Sequence, residues 1–105
     1  MNIVNLTPHM ITLLINKEMV EVPSSGLARC ASCEELVGEI DGINIYRNSY
    51  GEVSGLPEPK EDTIYVVSRL VAEASKGTRN DVYVVTKTVR NSNGQIIGAE
   101  GLAVI

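Results

Sequence analysis

Thr63-Ile64-Tyr65-Val66-Val67-Ser68-Arg69-Leu70-Val71-Ala72-Glu73-Ala74-Ser75-Lys76-Gly77, followed at Val82-Tyr83-Val84-Val85-Thr86 by a second β-branched run, decides the fold. Thr63 to Val67 is continuously apolar and short, the pattern of a central strand buried on both faces. Ser68 can accept a backbone N–H and is predicted as a helix N-cap. Leu70, Val71 and Ala74 then fall at helical spacing, and Lys76-Gly77 closes the helix with a cation and a glycine. Val82 to Thr86 is the next strand. Strand, helix and strand in this order predict one right-handed crossover with parallel pairing.

Outward from this unit the chain reads as short strands and turns. Asn2 to Leu6 alternates polar and apolar, and Thr7-Pro8-His9 interrupts it, because Pro8 lacks an N–H and extends the residue before it. Met10 to Ile15 and Met19 to Val22 flank a turn at Asn16-Lys17-Glu18. Pro23-Ser24-Ser25-Gly26 is a loop, and Leu27 to Ala31 is a candidate strand. Glu34 to Ile40 and the run from Ile43 flank Asp41-Gly42, the strongest short hairpin signal in the chain. Tyr50 to Pro59 reads as an irregular, Pro/Gly-rich loop that wraps the domain. Asn91-Ser92-Asn93-Gly94 signals another hairpin after Val89-Arg90, with Gln95 to Gly98 returning and Leu102 to Ile105 docking. The expected fold is α+β and mostly β, with hairpins and a mixed sheet and one short helix in the strand-helix-strand crossover, in a single domain over residues 1–105.

Composition narrows the function. With 105 residues, one domain buries roughly two-thirds of the surface that its unfolded chain exposes, enough for a core without metals or bridges. Trp and Phe are absent, so the core must be Val, Ile and Leu with Tyr as its aromatic bulk. The net charge is −4 and no basic run occurs, which argues against duplex nucleic acid and against an anionic membrane surface as partners. No basic leader precedes an apolar run at the start, and no stretch is long enough to span a bilayer. Cytoplasmic residence is the expectation, with Cys30 and Cys33 reduced.

Few residues carry chemistry. His9 is the single histidine; imidazole is the side chain suited to acid–base work near neutral pH, or the residue packs on Pro8 at the surface. Cys30 and Cys33 have the spacing of half a zinc site or a redox pair, but the chain lacks the remaining ligands and the helix opening that such motifs use. No metal and no cofactor is expected. Arg29 follows a loop, Arg69 opens the helix and Arg79 follows it; with Ser68 they form a candidate anion cradle. Tyr46, Tyr50, Tyr65 and Tyr83 can stack on a base, Tyr50 being the best placed of them and Tyr65 and Tyr83 reading as core. Asp81 supplies a carboxylate, but no nucleophile elbow surrounds Ser68.

The string Asn5-Leu6-Thr7-Pro8-His9 resembles the opening of a family of small phage and prophage proteins. The likeness continues through Pro23-Ser24-Ser25-Gly26 with Arg29, Gly38-Glu39-Ile40, Tyr50-Gly51-Glu52-Val53 and Gly55-Leu56-Pro57. It runs on through Tyr65-Val66-Val67-Ser68, Arg79-Asn80-Asp81-Val82 and Val89-Arg90, so it spans nearly the whole chain. Cys30 and Cys33 lie outside the shared pattern. What the pattern retains on loops is Asn5, Thr7, His9, Arg29, Ser68, Arg79 and Asp81, and retained loop polarity speaks for a site.

By analogy with phage proteins of this size, the resemblance implies an anti-defence protein that sequesters a small nucleotide immune signal of the CBASS or Thoeris kind. The signal would be a cyclic oligonucleotide or an ADP-ribose derivative, met in the bacterial host cytoplasm. Asn5, Thr7, His9, Arg29, Tyr50, Ser68, Arg69, Arg79 and Asp81 are the candidate ligand-binding residues, in a homo-oligomer with sites at subunit borders. Two alternatives stand beside this. One is a metal-independent hydrolase of the same ligands with His9 as its catalytic acid or base. The other is a protein–protein interaction module working through β-edges.

Overall fold

The computed structural model describes residues 1–105, save the side chain of Ser32. Eight strands and one helix follow in the order β1 (Asn2–Asn5), β2 (Ile11–Ile15), β3 (Glu18–Val22), β4 (Arg29–Ile40), β5 (Ile43–Ser54), β6 (Thr63–Val66), α1 (Arg69–Ala74), β7 (Val82–Arg90) and β8 (Ile96–Ala103). The chain is therefore mostly β with one short helix, and its main sheet is mixed. Six strands lie in the order β1-β6-β7-β8-β2-β3, and β4 and β5 form a separate two-stranded ribbon. β1 and β7 both run parallel to β6, whereas β7–β8 and β2–β3 are antiparallel.

Local chemistry explains the turns. Asn16 and Lys17 take φ of 50° and 69°, and Asp41 and Gly42 take 48° and 84°. Two left-handed residues in succession give a turn whose twist matches that of the strands it joins. Asn91 Oδ1 accepts N–H bonds from Asn93 and Gln95, which folds the loop between β7 and β8. Ser68 caps α1: it is extended, and its side chain accepts from Val71 N. The helix buries Val71 and Ala72 with the capping Ser75, a stripe one residue on from the expected Leu70, which is exposed.

One face of β6 and β7 forms the core with α1. Tyr65, Val67, Val82 and Val84 pack on Val71 and Ala72, joined by Leu6 and Ala28 and bordered by Cys30, Val53 and Leu56. Val66, on the alternate face of β6, is fully buried. The two edge strands of the six-stranded sheet meet at one end, where Asn5 of β1 bonds the Val22 carbonyl of β3 and pairs with Ser24. The sheet is thus curled rather than open, which removes part of each exposed edge.

Four boundaries differ from the expectation. Leu27 to Ala31 and Glu34 to Ile40 are not two strands: Arg29–Ile40 is one strand of twelve residues, which absorbs register shifts between Cys30 and Ser32 and between Leu36 and Gly38. Tyr50 to Ser54 is strand, not loop, because Val53 packs on the core beside Cys30. β7 continues through Val89-Arg90 because β8 pairs along its whole length. The return after the Asn91-Ser92-Asn93-Gly94 turn does not stop at Gly98 but runs as one strand, Ile96–Ala103, because Gly101, Leu102 and Ala103 pair with β7.

Candidate functional site

Backbone pairing gathers most of the candidate residues at one end of the sheet. Leu6 N–H donates to the Val66 carbonyl at 2.8 Å, and the Leu6 carbonyl accepts from Ala28 N–H at 3.1 Å. β1, β6 and the segment from Ser24 to Ala28 run side by side in the same direction. Their continuations therefore leave together: Thr7 to His9, Ser68 with Arg69, and Arg29. This is the carboxyl end of the parallel strands, where open α/β sheets commonly hold ligands.

Asn5 organises this end from inside. Its side chain is fully buried. Nδ2 donates to the His9 carbonyl at 2.8 Å and to the Val22 carbonyl at 3.0 Å. Oδ1 accepts the Thr7 N–H at 3.0 Å, an Asx-turn, and faces the Thr7 hydroxyl at 2.6 Å. The single Thr7 hydroxyl proton serves either Asn5 Oδ1 or the His9 carbonyl at 2.9 Å. Ser24 Oγ lies 2.6 Å from the Thr7 carbonyl and closes the same network. The hydrogen-bonding capacity of the Asn5 side chain is thus met by the chain itself; it shapes the turn and positions what the turn presents.

What the turn presents is free. His9 and Arg29 are exposed, and among the described residues neither has a carboxylate within ion-pair distance. Arg69 is exposed too, its Nε standing 3.7 Å from Glu73 Oε1. The other oxygen of Glu73 accepts from the Tyr50 hydroxyl at 2.8 Å. That bond, with the negative charge of Glu73 and partial desolvation, raises the Tyr50 pKa above its ordinary value. The Tyr50–Glu73 bond ties the base of the β4–β5 ribbon to the helix. The Ser68 hydroxyl is engaged in the cap, 3.5 Å from Val71 N. With six residues, α1 is too short to lend much dipole of its own.

Arg79 and Asp81 do not join this end. Tyr65 N–H donates to the Asp81 carbonyl, which places the pair at the amino end of β6 and β7. Arg79 grips Asp81 with two bonds, Nε to Oδ1 and Nη2 to Oδ2, each 2.9 Å. Its Cζ lies 5.7 Å from the centroid of the Tyr65 ring, and the Tyr65 hydroxyl donates to the Glu58 carbonyl. Three shallow hollows border Arg79: one of about 220 Å³ that also holds Lys76, Val82 and Ile105, and two more of about 340 and 380 Å³. Of the latter two, the first is lined by Gly51, Glu52 and Thr78 among others, and the second by Pro59, Gly77 and Asn80. The guanidinium there is already paired with Asp81, and Glu52 adds negative charge to the first of these two hollows.

The Arg79–Asp81 pair is instead structural. The hydrogen bonds and charge of Arg79 hold the Asp81 carboxyl below its ordinary value of 3.8. A depressed carboxylate contributes stability that is present above its unfolded pKa and is lost as pH falls through the lower folded value. The two side chains are 16% and 13% exposed. Asp81→Asn is therefore expected to cost about 2 kcal/mol at neutral pH, less than a fully dry pair. The difference between the two proteins should be flat above about pH 5 and shrink as the pH drops below the ordinary carboxylate value. Thermal melts of both across pH 2 to 7 check this; a pH-independent difference would contradict the ion pair.

Cys30 is half-buried against the core and Cys33 is exposed, both as free thiols. Among the described residues no three His, Cys, Asp or Glu side chains approach one another as metal ligands would. No helix is long and apolar enough to cross a membrane. Sequence reasoning missed Glu73 as the partner of Tyr50, and it missed the exposed apolar tip of the ribbon. A signal for the tip was present: Ile40, Ile43 and Ile45 lie on one face and Leu36 with Tyr46 on the other, so neither face is wholly polar. Comparisons with protein-family models, with curated proteins and with solved structures gave no match to this chain.

Proposed function

We propose that the chain captures a small phosphate-bearing nucleotide at the carboxyl end of β1 and β6, and that it sequesters the ligand rather than cleaving it. The observation that carries this reading is the side-by-side exit of three segments that present His9, Arg29 and Arg69 to solvent, two of these side chains with no ionic partner. Arg29, a guanidinium with no carboxylate beside it among the described residues, is available to an anion, and a guanidinium matches phosphate oxygens two at a time. β6, α1 and β7 are taken as one right-handed crossover, the usual hand, which sets the helix beside this end. Tyr50, fixed by Glu73, is the aromatic group within reach of the helix.

Sequestration is favoured over hydrolysis because, among the described residues, the exposed His9 ring has no hydrogen-bond or ionic partner that would hold it in one orientation toward a bound ligand. The resemblance to small phage proteins supplies the biological setting: a nucleotide immune signal of the host, met in the bacterial cytoplasm by a homo-oligomer. Arg79 and Asp81, locked together at the far end, take no part in this reading.

Equilibrium dialysis against cyclic dinucleotides and cyclic ADP-ribose isomers, followed by recovery from heat-denatured protein, tests it. Intact ligand should be retained. Arg29→Ala and Arg69→Ala should each weaken retention by about 10- to 100-fold, the loss of one charge-assisted contact. His9→Ala should weaken it less and leave the melting temperature unchanged. Retention of none of these ligands overturns the proposal, and recovery of a cleaved product replaces sequestration with hydrolysis.

A further inference from the structure

The β4–β5 ribbon carries the strongest unused feature of the molecule. Only its base touches the rest of the domain, where Cys30 and Val53 border the core and α1 packs alongside. From Cys33 to Glu52 every residue is exposed. Leu36, Ile40, Ile43 and Tyr46 each leave more than half of their surface to solvent. The chain has a radius of gyration of 16.4 Å and extents of 51 × 39 × 20 Å, against about 13 Å for a compact domain of this length. Its accessible surface is 7423 Å², whereas a compact monomer of this mass exposes about 5,700 Å². The excess, roughly 1,700 Å², is twice the area of about 800 Å² that each partner commits to a stable interface.

A matching surface lies on the same chain. Met10, Ile11 and Thr12 form a shallow apolar groove of about 220 Å³ with Val85, Thr88 and Ile96 to Ala99. Met10, Ile96 and Ile97 are at least half exposed there. Charge decides which surfaces meet. The outer ribbon holds four carboxylates, Glu34, Glu35, Glu39 and Asp41, against one guanidinium, Arg47. Two ribbons laid together would oppose like charges. The groove is flanked on β7 by Lys87, which sits across from Glu100, and by Arg90, and on β3 by Glu21, which pairs across from Thr12, so its border carries no excess of negative charge to repel the ribbon.

We propose that the ribbon is an exchange arm: its tip, around Ile40 and Ile43, seats on the Met10–Ile97 groove of a second copy, whose own arm returns the contact. A two-fold dimer with one arm given and one received would cover both apolar surfaces on each chain, and two such contacts account for the excess area. The proposal rests on the capture reading only for its purpose, the enclosure of an open site, and the contact itself needs no ligand.

Sedimentation at tens of micromolar, on the full chain, tests it with Ile43→Asp in the arm and Ile97→Asp in the groove. The wild type should be a dimer. Each variant should keep its circular dichroism spectrum and raise the dimer dissociation constant by about 100-fold or more, as expected for a central contact. An equimolar mixture should re-form a heterodimer, because one arm and one groove remain intact between the two variants. A monomeric wild type overturns the proposal, whatever else its arm then binds. So does a dimer that either substitution leaves unchanged, or a mixture that fails to associate. A wild-type dimer that retains no nucleotide sinks the capture reading alone; nucleotide held by a monomer sinks the exchange arm alone.

Discussion

Asn5→Ala is expected to lower stability by about 4 kcal/mol and the melting temperature by roughly 20 °C, one of the two largest losses among the substitutions considered. The side chain is fully buried and meets four groups on three residues, Thr7 and His9 of the turn and Val22 of β3. Removing it leaves the Val22 carbonyl and the Thr7 N–H short of partners, while the Thr7 hydroxyl can still serve the His9 carbonyl, and it empties a fully buried site. An unsatisfied buried group costs about 1–3 kcal/mol. Asn5→Asp should be no better, because a carboxylate would turn an oxygen toward two carbonyls that need a donor. Thr7→Val should cost only about 1 kcal/mol, since the Asn5 amide keeps both of its acceptors and the backbone Thr7 N–H keeps Oδ1. Urea unfolding of the three variants measures the series. A loss under about 1 kcal/mol for Asn5→Ala would show that the clamp does not hold the edges of the sheet together.

Gly55→Ala is expected to cost about 3 kcal/mol or more, by a different mechanism. Gly55 ends β5 at φ +78°, a left-handed backbone that a Cβ makes unfavourable by about 1–2 kcal/mol. An added Cβ would also run into the Leu27 carbonyl oxygen, with Leu27 C and Ala28 Cα just behind it. These are backbone atoms of the segment that bonds Leu6, so the clash cannot be relieved by turning a side chain. Gly42→Ala is the control: its φ of +84° is similar, but no atom lies within 4 Å of the added Cβ. It should lose only the conformational part, about 1 kcal/mol. Equal losses at the two positions in parallel thermal melts would rule out the crowding at Leu27.

These two residues show where reading from the sequence ends. Asn5 and Gly55 both sit in strings that resemble a shared pattern, and such a pattern is equally compatible with a ligand contact and with a structural constraint. For Asn5 the choice depends on the Val22 carbonyl, seventeen residues away and brought close only by the curl of the sheet. For Arg79 it depends on Asp81, two residues on, whose carboxylate it grips in the folded chain. The sequence placed both among the candidate ligands, and their coupling emerges only once β6 and β7 set them on a common ledge against Tyr65.

Local physics determined the elements. Backbone handedness placed the hairpin turns at Asn16-Lys17 and Asp41-Gly42, the Ser68 hydroxyl placed the start of α1, and runs of Val and Ile placed the central strands, because each depends on residues within a few positions of one another. Sheet order, the union of two expected strands into one long arm, and the exposure of Ile40 and Ile43 were decided by tertiary structure. They depend on which distant backbone groups pair and on whether any other part of the chain arrives to cover an apolar face. Nothing local to a strand records that, since an isoleucine has the same propensity whether the surface against it is its own core, a second copy or water.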